Sequence, residues 1–189
     1  MADTPSFDAP TADSPTFESP ITRLPDGASG SLLLADESSL TKLLVRSDRP
    51  QFDVVFGSTR RVADTLVCGL RPGEWHVLGS ARAVAVVEAL IDGGGFTHVI
   101  DVTHGRALLR VTGADAASTL EKVCSLDWRD SMTPDGAATS AAVAKVVCDI
   151  VRDDIDAAPS YLIGCDRSFG QYLFDALLDA GDEFAMVAG

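Results

Sequence analysis

The chain has 189 residues, 46% of them hydrophobic, enough to bury the core of one compact domain and too few for a multidomain enzyme. Its 28 acidic and 15 basic side chains leave a net charge of −13. The cations are scattered, 12 Arg and 3 Lys, which excludes a polyanion-binding surface and with it nucleic acid and anionic membranes.

The first 25 residues place Pro5, Pro10, Pro15, Pro20 and Pro25 at regular intervals among Ser, Thr and Asp. That composition is too polar for a core and biased to extended backbone, so residues 1–28 read as a flexible proline-rich arm and 29–189 as the folded domain. Phe7 and Phe17 are the arm's apolar side chains and candidate partner contacts: either a solvated tail carries them, or a strap docks them on a neighbouring subunit. The arm lacks the basic start and apolar stretch of a secretory or transit segment. No apolar run approaches the roughly 20 residues that cross a bilayer, so a cytoplasmic location is expected.

Within the domain, apolar runs at 32–35, 43–45, 52–56 and 62–70 read as strands, as does 74–78 after the Arg71-Pro72-Gly73 turn. Ser80 is placed to cap a helix over 81–91, which Gly93-Gly94-Gly95 stops. Two further strands, 96–102 and 106–112, flank Thr103-His104-Gly105 and suggest a hairpin. A helix over 114–123, strands over 143–151 and 160–165, and a last helix follow. That helix carries Phe169, Tyr172, Leu173, Ala176, Leu177 and Ala180 at helical spacing behind Ser168 as cap. The alternation of helices with hairpin-length turns predicts an α+β domain of short antiparallel strands with packed helices.

Few residues suggest chemistry. Cys68, Cys124, Cys148 and Cys165 have no metal-binding or redox spacing and read as reduced core thiols. His76, His98 and His104 share no helical i,i+4 relation, so hydrogen-bonded histidines are expected rather than metal ligands. The glycine run closes a helix instead of opening one, unlike a phosphate cradle. No nucleophile elbow is present. The reading assigns no catalytic or metal residue and leaves cofactor-binding residues unknown. Trp75 and Trp128 suit either a core edge or an interface anchor, and Trp128 with Arg129 joins Phe7 and Phe17 as partner-contact candidates.

Several segments, taken in order, resemble the gamma subunit of heterotetrameric sarcosine oxidase, a relative of the aminomethyltransferase-like, folate-binding fold. They are Arg71-Pro72-Gly73-Glu74-Trp75 with His76-Val77-Leu78, and Val99-Ile100-Asp101-Val102-Thr103-His104-Gly105-Arg106. Leu108 to Ala116 follows, then Leu120, Cys124, Leu126, Asp127 and Trp128. Tyr161 to Cys165, Arg167-Ser168-Phe169 and the run from Tyr172-Leu173 to Glu183-Phe184 complete the likeness.

The resemblance implies an assembly subunit without catalytic residues of its own, in a cytoplasmic oxidoreductase complex with alpha, beta and delta-type partners. Such a complex demethylates sarcosine (N-methylglycine) to glycine and passes the one-carbon unit to tetrahydrofolate. FAD, FMN, NAD and tetrahydrofolate are then expected on the other subunits and none on this chain. Two alternatives stand beside it: a subunit of a related complex acting on another N-methyl amine, or a free-standing folate-dependent aminomethyltransferase-like enzyme. The catalytic relatives use an acid in the folate pocket. Asp149 is the strand-borne candidate here, and alternation along its strand would otherwise point it to solvent.

Overall fold

The computed structural model describes residues 16–23, 31–91 and 95–189. Phe7, most of the arm, and Gly93 and Gly94 lie outside the described residues. In chain order the elements are β1 (Leu33–Asp36), β2 (Thr41–Ser47), β3 (Thr59–Val62), β4 (Thr65–Arg71), β5 (Glu74–Gly79), α1 (Ala83–Leu90) and β6 (Thr97–Asp101). Then come β7 (Arg106–Thr112), α2 (Ala116–Glu121), β8 (Ala138–Val143), β9 (Val146–Arg152), β10 (Ser160–Asp166), α3 (Gly170–Gly181) and β11 (Val187–Ala188).

The strands form two sheets. A six-stranded sheet runs β11-β1-β7-β10-β9-β8 and a five-stranded sheet runs β3-β4-β5-β2-β6. All pairings are antiparallel except that of β1 with β11. The α+β expectation holds.

Three apolar layers hold the sheets. One face of the six-stranded sheet buries Leu109, Ile150, Tyr161 and Ile163 against Leu120 of α2 and Leu173, Phe174 and Leu177 of α3. Each large side chain fully withdrawn from water stabilises the fold by about 1.5–3 kcal/mol before entropy is counted. The five-stranded sheet buries Val45, Val67, Trp75 and Val77 against Ala83 and Val87 of α1. Between the sheets, Leu66, Cys68, Leu70 and Leu78 meet Leu108, Ala138, Val151 and Leu162.

Several local expectations need correction. The segments 96–102 and 106–112 do not form a hairpin, because β6 pairs with β2 in one sheet while β7 lies between β1 and β10 in the other. A 3-10 turn over Thr103–Gly105 carries the chain across. The run 143–151 is not one strand: Ala144 and Lys145, at φ of +46° and +70°, reverse it between β8 and β9. Positive φ at both central positions is hairpin-turn geometry, here without the usual Gly or Asn to announce it. The run 62–70 likewise breaks between β3 and β4, and 52–56 is a loop with Phe52 and Asp53 at positive φ.

The helices begin late. Ahead of α1 the Ser80 hydroxyl accepts from the Arg82 amide at 3.2 Å, as its position suggested, whereas no side chain caps α3 and a 3-10 turn over Arg167–Phe169 delays it to Gly170. The phase of α3 shifts with it, so Phe174 is fully buried whereas Phe169 and Tyr172 are exposed. The Tyr172 hydroxyl donates to the Ala144 carbonyl at 3.0 Å.

Candidate functional site

A polar cleft opens where the two sheets part. β4 ends at Arg71, turns through Pro72 and Gly73, and returns as β5 at Glu74. Gly73 sits at φ +72°, and a side chain there would press on the Ser47 carbonyl, so glycine alone fits the turn. The turn faces Arg71 onto Glu74, with Nη1 donating to Oε1 at 2.6 Å, while Arg46 of β2 donates through Nε to Oε2 at 2.9 Å.

The six-stranded sheet supplies the opposite wall. Asp149 of β9 accepts from Arg106 Nη2 at 2.5 Å, from Arg71 Nη2 at 3.1 Å and from Ser140 Oγ at 2.8 Å. Asp149 is 7% exposed, so its solvent-facing reading is overturned: its side of β9 faces the other sheet, not water. Arg106 also donates through Nη1 to Asp166 at 3.1 Å.

His76, which the sequence left apart from any cluster, lies on the floor of this cleft. Its Nε2 and Nδ1 are each 3.6 Å from a carboxylate oxygen, of Glu74 and Asp149 respectively. Burial lowers its pKa below the ordinary 6.5, against the pull of Asp149. Burial works to raise Glu74, but hydrogen bonds from Arg71 and Arg46 outweigh it and the net shift is downward. These groups, with Leu44 and Val102, enclose a cavity of about 320 Å³. Deeper in, it narrows to about 20 Å³ beside Lys42 and Leu70.

Lys42 closes the inner end. Its Nζ donates to the Ser38 and Leu40 carbonyls at 2.6 and 2.8 Å, and burial brings its pKa down to about 8. Phe17 packs here, its ring 5.7 Å from Lys42 Nζ, 5.9 Å from the Arg167 guanidinium and 5.5 Å from the His104 ring. In the single chain this ring lies on its own domain and stays partly exposed. The adjoining residues follow, with Pro20 and Ile21 buried and Arg23 Nη2 2.9 Å from Asp175.

Of the other contact candidates, Trp128 is 2% exposed and meets Tyr161 edge-on at 5.2 Å, which selects its core-edge reading. Arg129 remains at the surface, paired with Asp127. All four cysteines are free and buried, with burial pushing the Cys148 thiol up to about 12. Sequence reasoning missed Arg46, Arg71, Glu74, His76 and Arg106 as one group. The available signal was Asp149 itself, a lone carboxylate within the run Val146-Val147-Cys148-Asp149-Ile150-Val151.

Among solved structures, heterotetrameric sarcosine oxidase from Corynebacterium sp. U-96, in complex with pyrrole 2-carboxylate, contains a similar chain. It superposes with a TM-score of 0.70 at 22% identity over 84% of this chain and 89% of that one. Aminomethyltransferase T of the glycine cleavage system from Bartonella henselae superposes with a TM-score of 0.63 at 16% identity over 84% of this chain. The likeness spans only about half, 48%, of that enzyme chain. At these identities the likeness is one of fold. No curated protein matches the chain. A model of the sarcosine oxidase, gamma subunit family matches residues 58–183, a span that includes Arg71, Glu74, His76, Arg106 and Asp149. The chain belongs to the sarcosine oxidase, gamma subunit family.

Proposed function

We propose that the chain is the gamma-type assembly subunit of a cytoplasmic, heterotetrameric, flavin-dependent sarcosine oxidase and supplies no catalytic group of its own. Alpha, beta and delta-type subunits are its partners in this reading. FAD, FMN, NAD and tetrahydrofolate reside on them, and sarcosine is demethylated to glycine there with one-carbon transfer to tetrahydrofolate. The division into an arm to residue 28 and a domain from 29 belongs to this reading, as do partner contacts through Phe7 and exposed Arg129. Phe17, partly exposed on its own domain, can meet a partner where it lies, whereas Trp128, 2% exposed, would have to leave its packing to do so. Among the described residues no helix is long and apolar enough to cross a membrane.

The observation that carries the proposal is how the cleft's charges are used. Arg46, Arg71 and Arg106 are engaged with Glu74 and Asp149, and Asp149 already accepts three donors. An acid or base for catalysis needs a lone pair or proton aimed at a substrate, and these groups aim at one another. They join the two sheets. At about 320 Å³ the cleft lies at the lower end of the range for small-molecule pockets.

The rival reading, a free-standing folate-dependent enzyme, would have Asp149 hold a pterin or polarise an amine, and must first strip it of Arg71, Arg106 and Ser140. Expression of the chain alone and together with the other oxidase subunits separates the two. The assembly reading expects a colourless, inactive protein alone and a yellow multi-chain species that forms peroxide from sarcosine. Tight tetrahydrofolate binding with one-carbon transfer by the lone chain would establish the rival instead. Activity of the assembled species with another N-methyl amine but not sarcosine would leave the assembly role and change the substrate.

A further inference from the structure

The five-stranded sheet is covered unevenly, and the register shows how. Across its cleft-side face, one row of paired residues runs Cys68, His76, Leu44, Ile100 from β4 through β5 and β2 to β6. Cys68 is fully buried beneath the six-stranded sheet, His76 and Leu44 are partly covered, and Ile100 is 47% exposed. The next row runs Glu74, Arg46, His98. His98 is exposed, and beside it Phe96, 60% exposed, packs edge-on against its ring at 4.4 Å. The second sheet thus recedes progressively and leaves the β2–β6 half of the face open.

The open half has two further properties. β6 is the last strand of its sheet, hydrogen-bonded to β2 on one side and, among the described residues, to no strand on the other. An edge that exposes alternate apolar side chains is a template for another strand. The charge also departs from the chain's average. In a protein of net charge −13, Arg46, Arg71 and Arg106 here balance Glu74, Asp149 and Asp166. The Arg46 side chain is 59% exposed and, among the described residues, hydrogen-bonded through Nε alone, which leaves its two terminal nitrogens for an incoming acceptor.

We infer that β6 and the adjoining arginine-lined cleft form a docking site for an extended, carboxylate-bearing segment of another subunit of the oxidase. That segment continues the five-stranded sheet beyond β6, lays an apolar side chain over Ile100 and Leu44, and places a carboxylate on Arg46. Arg46 selects the occupant: on a surface whose net charge repels a carboxylate, its two unbonded terminal nitrogens are donors suited to one. A second copy of this acidic chain lacks that advantage. The inference rests on the assembly reading and names the surface that serves it.

The test uses the full chain co-expressed with the alpha, beta and delta-type subunits. Ile100→Asp and Arg46→Gln are made separately, and their thermal unfolding as isolated chains is compared with wild type to confirm folding. At least a tenfold loss of assembly affinity is expected from Ile100→Asp, and a several-fold loss that grows at low salt from Arg46→Gln. Hydrogen exchange in wild type should slow at the amides of 97–101 on assembly. If wild type assembles while both folded variants assemble equally well and exchange at 97–101 is unchanged, the docking site is wrong and the assembly role survives. If wild type itself fails to assemble, the role falls first. A dimer of the chain alone that Ile100→Asp dissolves would put a second copy on this edge and overturn the assignment.

Discussion

The two sheets are built from the same material and differ in how they are closed. The six-stranded sheet has one face under α2 and α3 and much of the other against its neighbour, so β9 and β10 bury residues on both faces. The five-stranded sheet has α1, with only Ala83 and Val87 fully buried, on one face and half a neighbour on the other. Closure on both faces concentrates stability, whereas half-closure leaves side chains whose contacts are still to be made. The polar cleft lies at the seam between these regimes.

The largest test of that contrast is truncation in the two cores. Phe174→Ala in α3 is expected to lower unfolding free energy by about 3–5 kcal/mol in a denaturant titration. Val99→Ala, on partly covered β6, should cost far less; equal losses would erase the distinction. At the seam, Asp149→Asn removes a charged acceptor shared by Arg71 and Arg106 and should cost about 1–3 kcal/mol. A neutral result would mean that water replaces the carboxylate and that the sheets are not joined there.

A smaller effect is expected from pH. Because the folded-state pKa of His76 lies below 6.5, the unfolded chain takes up its proton first as pH falls. Its contribution is complete above pH 6.5, declines below that, and levels off once the folded-state pKa is passed. The depressed Glu74 adds a further loss below its ordinary 4.5. Urea unfolding between pH 7.5 and 5.5 should show wild type losing more stability than His76→Gln, and parallel slopes would clear His76 of the role. The smallest change is Phe17→Ala, which removes a ring beside Lys42 and Arg167 and should cost about 0.5–1 kcal/mol by thermal unfolding.

The parts of the fold that were legible in sequence are those with local causes. The existence of α3 follows from its helical spacing, and the Arg71-Pro72-Gly73 turn from residue type. What escaped depends on tertiary packing. The Ala144-Lys145 reversal carries no turn residue, so an apolar run concealed a hairpin. The Thr103–Gly105 turn resembles a hairpin loop, and only the choice of partner strand shows that it crosses between sheets. Within the site, Arg71 and Glu74 are local neighbours, but Arg106 and Asp149 reach them from β7 and β9 only when the sheets stack.

Backbone hydrogen bonds tie the loop that crosses β4 to it: Gly57 donates to the Gly69 carbonyl at 2.8 Å and Gly69 to that of Ser58 at 2.9 Å. Gly69 must be bare, since any side chain there would strike the Val55 carbonyl. Val55 and Phe56, both largely exposed, therefore stand on a stiff pedestal whose height is set by one missing methyl group. A Gly69→Ala exchange would act at a distance, lifting those two apolar tips out of position while leaving every ion pair of the seam untouched.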